Sequence, residues 1–113
     1  NSFAKEGDVH EKVIAINDVY IPNGFDSGSD AFVVVNGWFP NSCYKLKGAR
    51  VDHIGPGLHE VTTLASVTEG LCLTVIIPFN KEVQLGKLSV GEHKIHFMNG
   101  DGTYMEKRLT IEQ

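Results

Sequence analysis

The sequence predicts an all-β fold, an antiparallel β-sandwich of about seven to eight short strands. Three observations predict it. Apolar residues recur with a period of two in runs of strand length, spaced about every 10 to 12 residues. No stretch of helix length carries a 3.6-residue period. Clusters of Gly, Pro, Asn, Asp and Ser separate the runs, each supplying turn chemistry.

Residues 1–10, "NSFAKEGDVH", are polar and read as a flexible tail, leaving residues 11–113 as a single domain. In "KVIAINDVYIP", Ile14 and Ile16 alternate, then Val19 and Ile21, with a one-residue phase change near Asn17 and Asp18; this predicts a bulged strand closed by Pro22. "NGFDSGSD" is a loop. "AFVVVNGWFP" is β-branched and aromatic on both faces, either a strand covered on both sides or one ending in an exposed aromatic tip. "NSCYKLKGARVDHI" sets Tyr44 and Leu46 on one face, then Ala49 and Val51 after Gly48, and "GPG" turns the chain. "LHEVTTLASV" alternates Val61, Thr63, Ala65 and Val67. "LCLTVII" predicts a strand with Leu71, Leu73, Val75 and Ile77 on one face and Cys72 on the other, outside the sheet. "EVQLGKL" and "EHKIHFM" follow, then "NGDG" as a hairpin turn tolerant of positive φ. "TYMEKRLTI" closes the chain with Met105, Leu109 and Ile111 inward.

The chain has 113 residues, enough for one domain that buries about 65% of its unfolded surface. A net charge of −4 argues against a nucleic-acid binder, which needs a basic face to displace counterions. No run approaches the roughly 18 apolar residues of a membrane-spanning helix. The start, without an initiator Met or a signal peptide, reads as that of a mature or trimmed chain. Cys43 and Cys72 read as a disulfide, with two reduced thiols as the alternative. A bridge implies an extracytoplasmic location: periplasm, cell surface or secreted. The spacing suits neither a CxxC redox pair nor a zinc knuckle.

No nucleophile-elbow motif surrounds any serine, and neither cysteine carries a thiol-protease signature, so no catalytic residue is assigned. No cofactor is expected. His93 and His96 lie three apart on a strand and face opposite ways. His53 and His59 flank the "GPG" turn and converge across a hairpin, but no third metal ligand is placed beside them; surface histidines are the plainer reading. Asp26 and Asp30 are weak candidates for a calcium loop that lacks the EF-hand pattern. Lys45, Lys47 and Arg50 form a short basic run, read as a solvated strand face. A Trp on a sandwich strand is usually core, which is the plainer reading of Trp38; in "NGWFPN", however, consecutive aromatics face opposite sides, which leaves at least one of Trp38 and Phe39 free to stay near the surface. Phe25, Trp38, Phe39, Asn41 and Tyr44 are the candidate binding residues, a platform for a partner protein or a sugar ring.

"LGKLSVGEHKI" resembles the corner before a late strand of immunoglobulin-like and fibronectin-type-III domains, where Leu-x-x-Gly-x-Tyr is found; Leu88, Gly91 and His93 take those places. The family's tyrosine hydroxyl bonds back to the corner backbone, a role that falls here to a ring nitrogen of His93. With "GWFPNSCYKL" and "LCLTVIIPF", residues 12–112 resemble an immunoglobulin-like domain of a bacterial secreted or lipid-anchored envelope protein. The resemblance implies adhesion, scaffolding or ligand binding rather than a reaction. The expected function is therefore a non-enzymatic, extracytoplasmic module that engages a protein partner through "NGFDSGSD", "WFPNSC" or an edge strand. Carbohydrate binding through Trp38 is the alternative. A small protease inhibitor ranks third, because the Asn-Pro-Thr-Thr-Gly loop of known inhibitors with this architecture is absent.

Overall fold

Alternation decides which side of each strand enters the core. In β3 (Ala31–Phe39) every odd residue is buried and Trp38 alone is exposed, so the strand ends in an aromatic tip. A computed structural model describes residues 8–113, and among them the same logic builds eight strands and no helix. The others are β1 (Val9–Val13), β2 (Asp18–Tyr20), β4 (Tyr44–Gly55), β5 (Leu58–Thr68), β6 (Ile77–Gly86), β7 (Gly91–Met98) and β8 (Tyr104–Ile111).

They form two layers. One sheet has three strands in the order β2-β3-β6. The other has five strands centred on β5, which pairs with β4 along one edge. Along its other edge β5 pairs first with β7, through Leu58–Thr62, and then with β1, through residues 64–68. Strand β8 completes the sheet beyond β7. Val33, Val35, Val61, Ala65, Ile95, Phe97, Leu109 and Ile111 fill the space between the layers. Each large one contributes about 1.5–3 kcal/mol through burial.

The all-β sandwich follows the prediction, and three elements differ in detail. First, β5 and β7 run parallel while every other neighbouring pair is antiparallel. The chain leaves β5 for β6 in the opposite layer and then returns, and two reversals restore the original direction. Second, the bulged strand expected around residues 12–22 is two strands in different sheets. The phase change marks the crossing: Ile14 N–H bonds Thr63 O in one sheet at 2.9 Å, and Asn17 N–H bonds Asn36 O in the other at 2.7 Å. Ile14 and Ile16 are both buried there. Third, the strand expected at residues 71–77 begins only at Ile77, opposite Phe39. Pro40 follows Phe39 and turns the chain away, so residues 71–76 have no strand to pair with. Residues 1–7 of the expected tail lie outside the described residues, while Val9 and His10 belong to β1.

The β4–β5 register shifts between Leu46 and Gly48. The hairpin tip between β7 and β8 holds Gly100 at φ 87° with its α-carbon face against Val13, where a Cβ would stand 3.1 Å from a carbonyl oxygen. Gly37 is the tightest position: a Cβ there would meet the Phe79 ring at 2.5 Å. Phe79 thereby lies over β3 and stacks on Phe39 with centroids 4.5 Å apart, and Phe39 in turn stacks on Tyr44 at 5.8 Å. Gly37→Ala is expected to displace Phe79 and lower stability by about 1–3 kcal/mol, the usual range for overpacking. Urea unfolding measures it, and a change under 0.5 kcal/mol would show that the aromatic stack repacks freely.

Candidate functional site

Two regions stand out, at opposite ends of the sandwich. The first is apolar. The 40–43 loop joins β3 to β4 and the 69–76 loop joins β5 to β6, so each carries the chain from one layer to the other at the same end. The disulfide Cys43–Cys72 ties them, with Cα atoms 5.4 Å apart. It joins two loops rather than lying on the outer face of a sheet. Ser42 reinforces the tie: its N–H donates to Leu73 O at 3.1 Å, and its hydroxyl accepts from Leu73 N–H at 2.7 Å.

Pinned this way, the 69–76 loop cannot fold its side chains inward. Leu71 is 96% exposed, Leu73 and Ile76 70%, and Val75 46%, beside Trp38 at 56%. Trp38, Phe39, Pro40 and Ile76 line an open apolar cleft of about 640 Å³. A second cleft, of about 370 Å³, shares Trp38 and Pro40 but is ringed by Lys12, Asn17, Tyr44 and Asn99.

The five candidate binding residues do not form one surface. Trp38 is exposed, whereas Phe39 is core, at 3%. The Asn41 amide oxygen accepts the Cys43 N–H at 2.9 Å and so shapes the loop. Tyr44 borders the polar cleft. Phe25 packs edge-on against Phe32, near the other end of β3 and about 20 Å from Trp38 at 3.3 Å per residue. Sequence reasoning missed Leu71, Leu73, Val75 and Ile76 as surface residues because their alternation imitates a half-buried strand. Pro40, which denies them a partner, was the available signal.

The remaining candidates are occupied locally. The Asp26 carboxylate accepts from Gly28 N–H at 2.9 Å and from the Ser29 hydroxyl at 3.0 Å, and Asp30 pairs with Lys87 at 3.2 Å. Lys47 pairs with Glu11 and Arg50 with Asp52, exposed pairs worth about 0–1 kcal/mol each, so much of the basic run is neutralised by its neighbours. Among the described residues no group of three or more His, Cys, Asp or Glu is placed to hold a metal ion.

The second region is a series of three histidines. His53 on β4 and His59 on β5 are register partners, and their Nδ1 atoms meet at 2.7 Å across the hairpin. The third member comes from the parallel neighbour β7: His59 Nε2 lies 2.8 Å from His93 Nδ1. His93 Nε2 then reaches the Ser89 carbonyl at 2.7 Å, the bond back to the corner backbone expected of that ring. His59 and His93 are buried, at 3% and 2%, while His53 is exposed. The rings bond one to the next instead of converging on a common point. Burial, and then the neighbouring His53 and His93, push the His59 pKa down to about 4. His96 faces the opposite side, where it stacks on Tyr104 and bonds Glu106 at 3.0 Å; that bond holds the Glu106 carboxyl below its ordinary value.

Neither a curated protein nor a solved structure matches the chain. Residues 33–111 match the family model described as the ORF11 beta-sandwich domain. That span, well over half the chain, runs from β3 to the end of β8 and contains both cysteines, Trp38 and all three histidines of the series. The chain belongs to the ORF11 beta-sandwich domain family.

Proposed function

We propose that this domain is an extracytoplasmic, non-enzymatic module that engages a protein partner through its apolar end. The observation that carries the reading is the exposed set of Trp38, Leu71, Leu73, Val75 and Ile76 at one end of the sandwich, with Trp38 and Ile76 lining one cleft. Single exposed apolar residues are ordinary, but a cluster of five large ones with an adjoining apolar cleft marks an interaction surface. A Trp among aliphatic neighbours is the composition of an interface hot spot. The Cys43–Cys72 tie holds the loops in place before a partner arrives, so less ordering entropy is lost on binding. The same disulfide fits an oxidising compartment. The His93 corner bond fits the resemblance to immunoglobulin-like envelope domains, which hold partners without reacting with them.

The test compares the native domain with Trp38→Ala, Leu73→Ser, both exposed positions whose replacement leaves the core intact. Phe39 is no use for this purpose, since its loss would open the core. Each serves as bait in a crosslinked pull-down from envelope extract, and the recovered partner is then titrated directly. Trp38 is the only tryptophan, so its fluorescence reports its own burial. Blue-shifted emission on binding, with affinity at least about 100-fold weaker for the double variant, is expected. Equal binding by both baits refutes the surface.

A second reading rests on the other cleft, where the exposed Trp38 ring stands beside the polar groups of Tyr44, Asn17, Asn99 and Lys12. This is the chemistry of a sugar site. Titration of the native domain with a glycan panel decides it: no change in Trp38 emission removes it.

A further inference from the structure

The histidine series has a counting property. The Ser89 carbonyl only accepts, so His93 Nε2 carries a hydrogen. In the neutral ring His93 Nδ1 is then bare and accepts from His59 Nε2–H; His59 Nδ1 is bare and accepts from His53 Nδ1–H. The carbonyl thus fixes all three tautomers and leaves His53 Nε2 bare at the exposed end. Among the described residues no buried side-chain polar atom lacks a hydrogen-bond partner.

A proton arriving at His53 Nε2 disturbs none of these bonds. The charge then moves inward by two transfers: the Nδ1 proton of His53 passes to His59 Nδ1, and the Nε2 proton of His59 passes to His93 Nδ1. After both, His53 keeps its new Nε2–H and accepts at Nδ1, His59 donates from Nδ1 and accepts at Nε2, and His93 is the cation. One proton has entered, each gap still holds one hydrogen, the two ring–ring bonds survive with their direction reversed, and His93 Nε2–H still donates to Ser89. A second proton has no such place. It puts two N–H groups into a gap of 2.7 or 2.8 Å, and that join must part.

We propose that His53, His59 and His93 form an acid-operated latch between the β4–β5 hairpin and the corner entering β7, which takes up one proton intact and opens on the second. The surroundings leave the charge uncompensated. Asp52 on β4, Glu60 on β5 and Glu92 and Lys94 on β7 alternate with the rings and point to the other side of the sheet. On β8 the register partner of His93 is the buried Leu109, and the adjacent Arg108 pairs with Glu92 outside. Among the described residues no carboxylate forms an ion pair with any of the three rings. In the facing sheet the buried side chains of β2, β3 and β6 are all apolar, and the Asp30–Lys87 pair nearby is exposed. The low His59 pKa agrees with this setting. The latch is independent of what the apolar end binds.

The experiment is a pH titration of the whole domain by ring-nitrogen NMR, with amide hydrogen exchange recorded at each step. At pH 7.5 the expected tautomers are Nδ1–H for His53 and Nε2–H for His59 and His93. On acidification one imidazolium charge appears within the series while exchange in β4, β5 and β7 stays slow. Uptake of a second brings at least a tenfold rise in exchange for residues 53–60 and 89–95, with β3 and β6 unchanged. His93→Gln, which cannot take a proton but keeps a donor for Ser89 and an acceptor for His59 Nε2–H, is expected to lose the acid-specific rise at residues 89–95 and keep it at the His53–His59 join while remaining folded. If that variant does not fold, the native titration alone decides. Two imidazolium rings in the series with exchange still slow overturn the proposal, as does any other resting tautomer set.

Discussion

Loss of the Cys43–Cys72 bridge is expected to lower stability by about 3.5 kcal/mol, from the chain entropy of a loop of this length. The enclosed separation is 29 residues. For a domain of this size that corresponds to a fall in Tm of roughly 10–20 °C. The effect has a second part. The bridge joins two loops that each cross between the layers, and the 69–76 loop makes no strand pairing of its own. Without it the Ser42–Leu73 bonds are left to hold that loop to the 40–43 loop, and the exposed leucines are free to collapse or to associate between molecules. Thermal unfolding of the native domain with and without reductant, beside Cys43→Ala, Cys72→Ala, measures the first part; partner affinity of the folded double variant measures the second. A loss under 1 kcal/mol would mean that the Ser42–Leu73 bonds and β-strand pairing already fix both crossings. Unchanged affinity would mean that the apolar end does not need its loops held.

The sandwich was legible because each layer has one face in the core. Val33 and Val35, or Ile95 and Phe97, cannot shift by one residue without exposing the whole set, so the period of two carries the fold. Sheet membership was not legible. The phase change at Asn17 and Asp18 fits a bulge as well as a crossing, and only the bonds to Asn36 and Thr63 distinguish them. The parallel β5–β7 pair was hidden for a related reason: local alternation says which face is buried, never which strand lies alongside.

The site was legible in part. "NGWFPN" sets its two aromatics on opposite faces, and β3 puts Trp38, which such strands usually bury, on the outside. The loop that completes the surface was read as a strand, because Leu71, Leu73 and Val75 have strand periodicity with nothing to pair with. The histidines divide the same way. The meeting of His53 with His59 follows from hairpin register, and the bond from His93 to its corner from the Leu-x-x-Gly-x-His spacing. Their union into one series follows only from the parallel neighbour, which no local pattern announces.

Acid is expected to weaken the fold well above the pH at which its carboxylates titrate. His59 has a folded pKa of about 4 against an ordinary 6.5. A group whose pKa is depressed on folding stabilises the native state while it is neutral in both states, above pH 6.5. As pH falls below 6.5 the unfolded chain gains the proton first, and stability drains away until the folded ring also titrates near pH 4. The full difference is up to about 3 kcal/mol, and less to the extent that water reaches the ring. Asp101 and Glu106, also lowered, are surface carboxylates whose contribution is lost at lower pH and is small. Urea unfolding at pH 7.5, 6.0, 5.0 and 4.5 gives the profile, and its slope near pH 5 should approach the roughly 1.4 kcal/mol per pH unit of one linked proton. His59→Gln keeps a hydrogen-bond donor and acceptor but does not titrate, so its slope should fall by that proton while its stability at pH 7.5 drops by only about 1–2 kcal/mol. Equal slopes in the two proteins would place the acid sensitivity elsewhere and leave His59 a buried ring that never feels the solvent's protons.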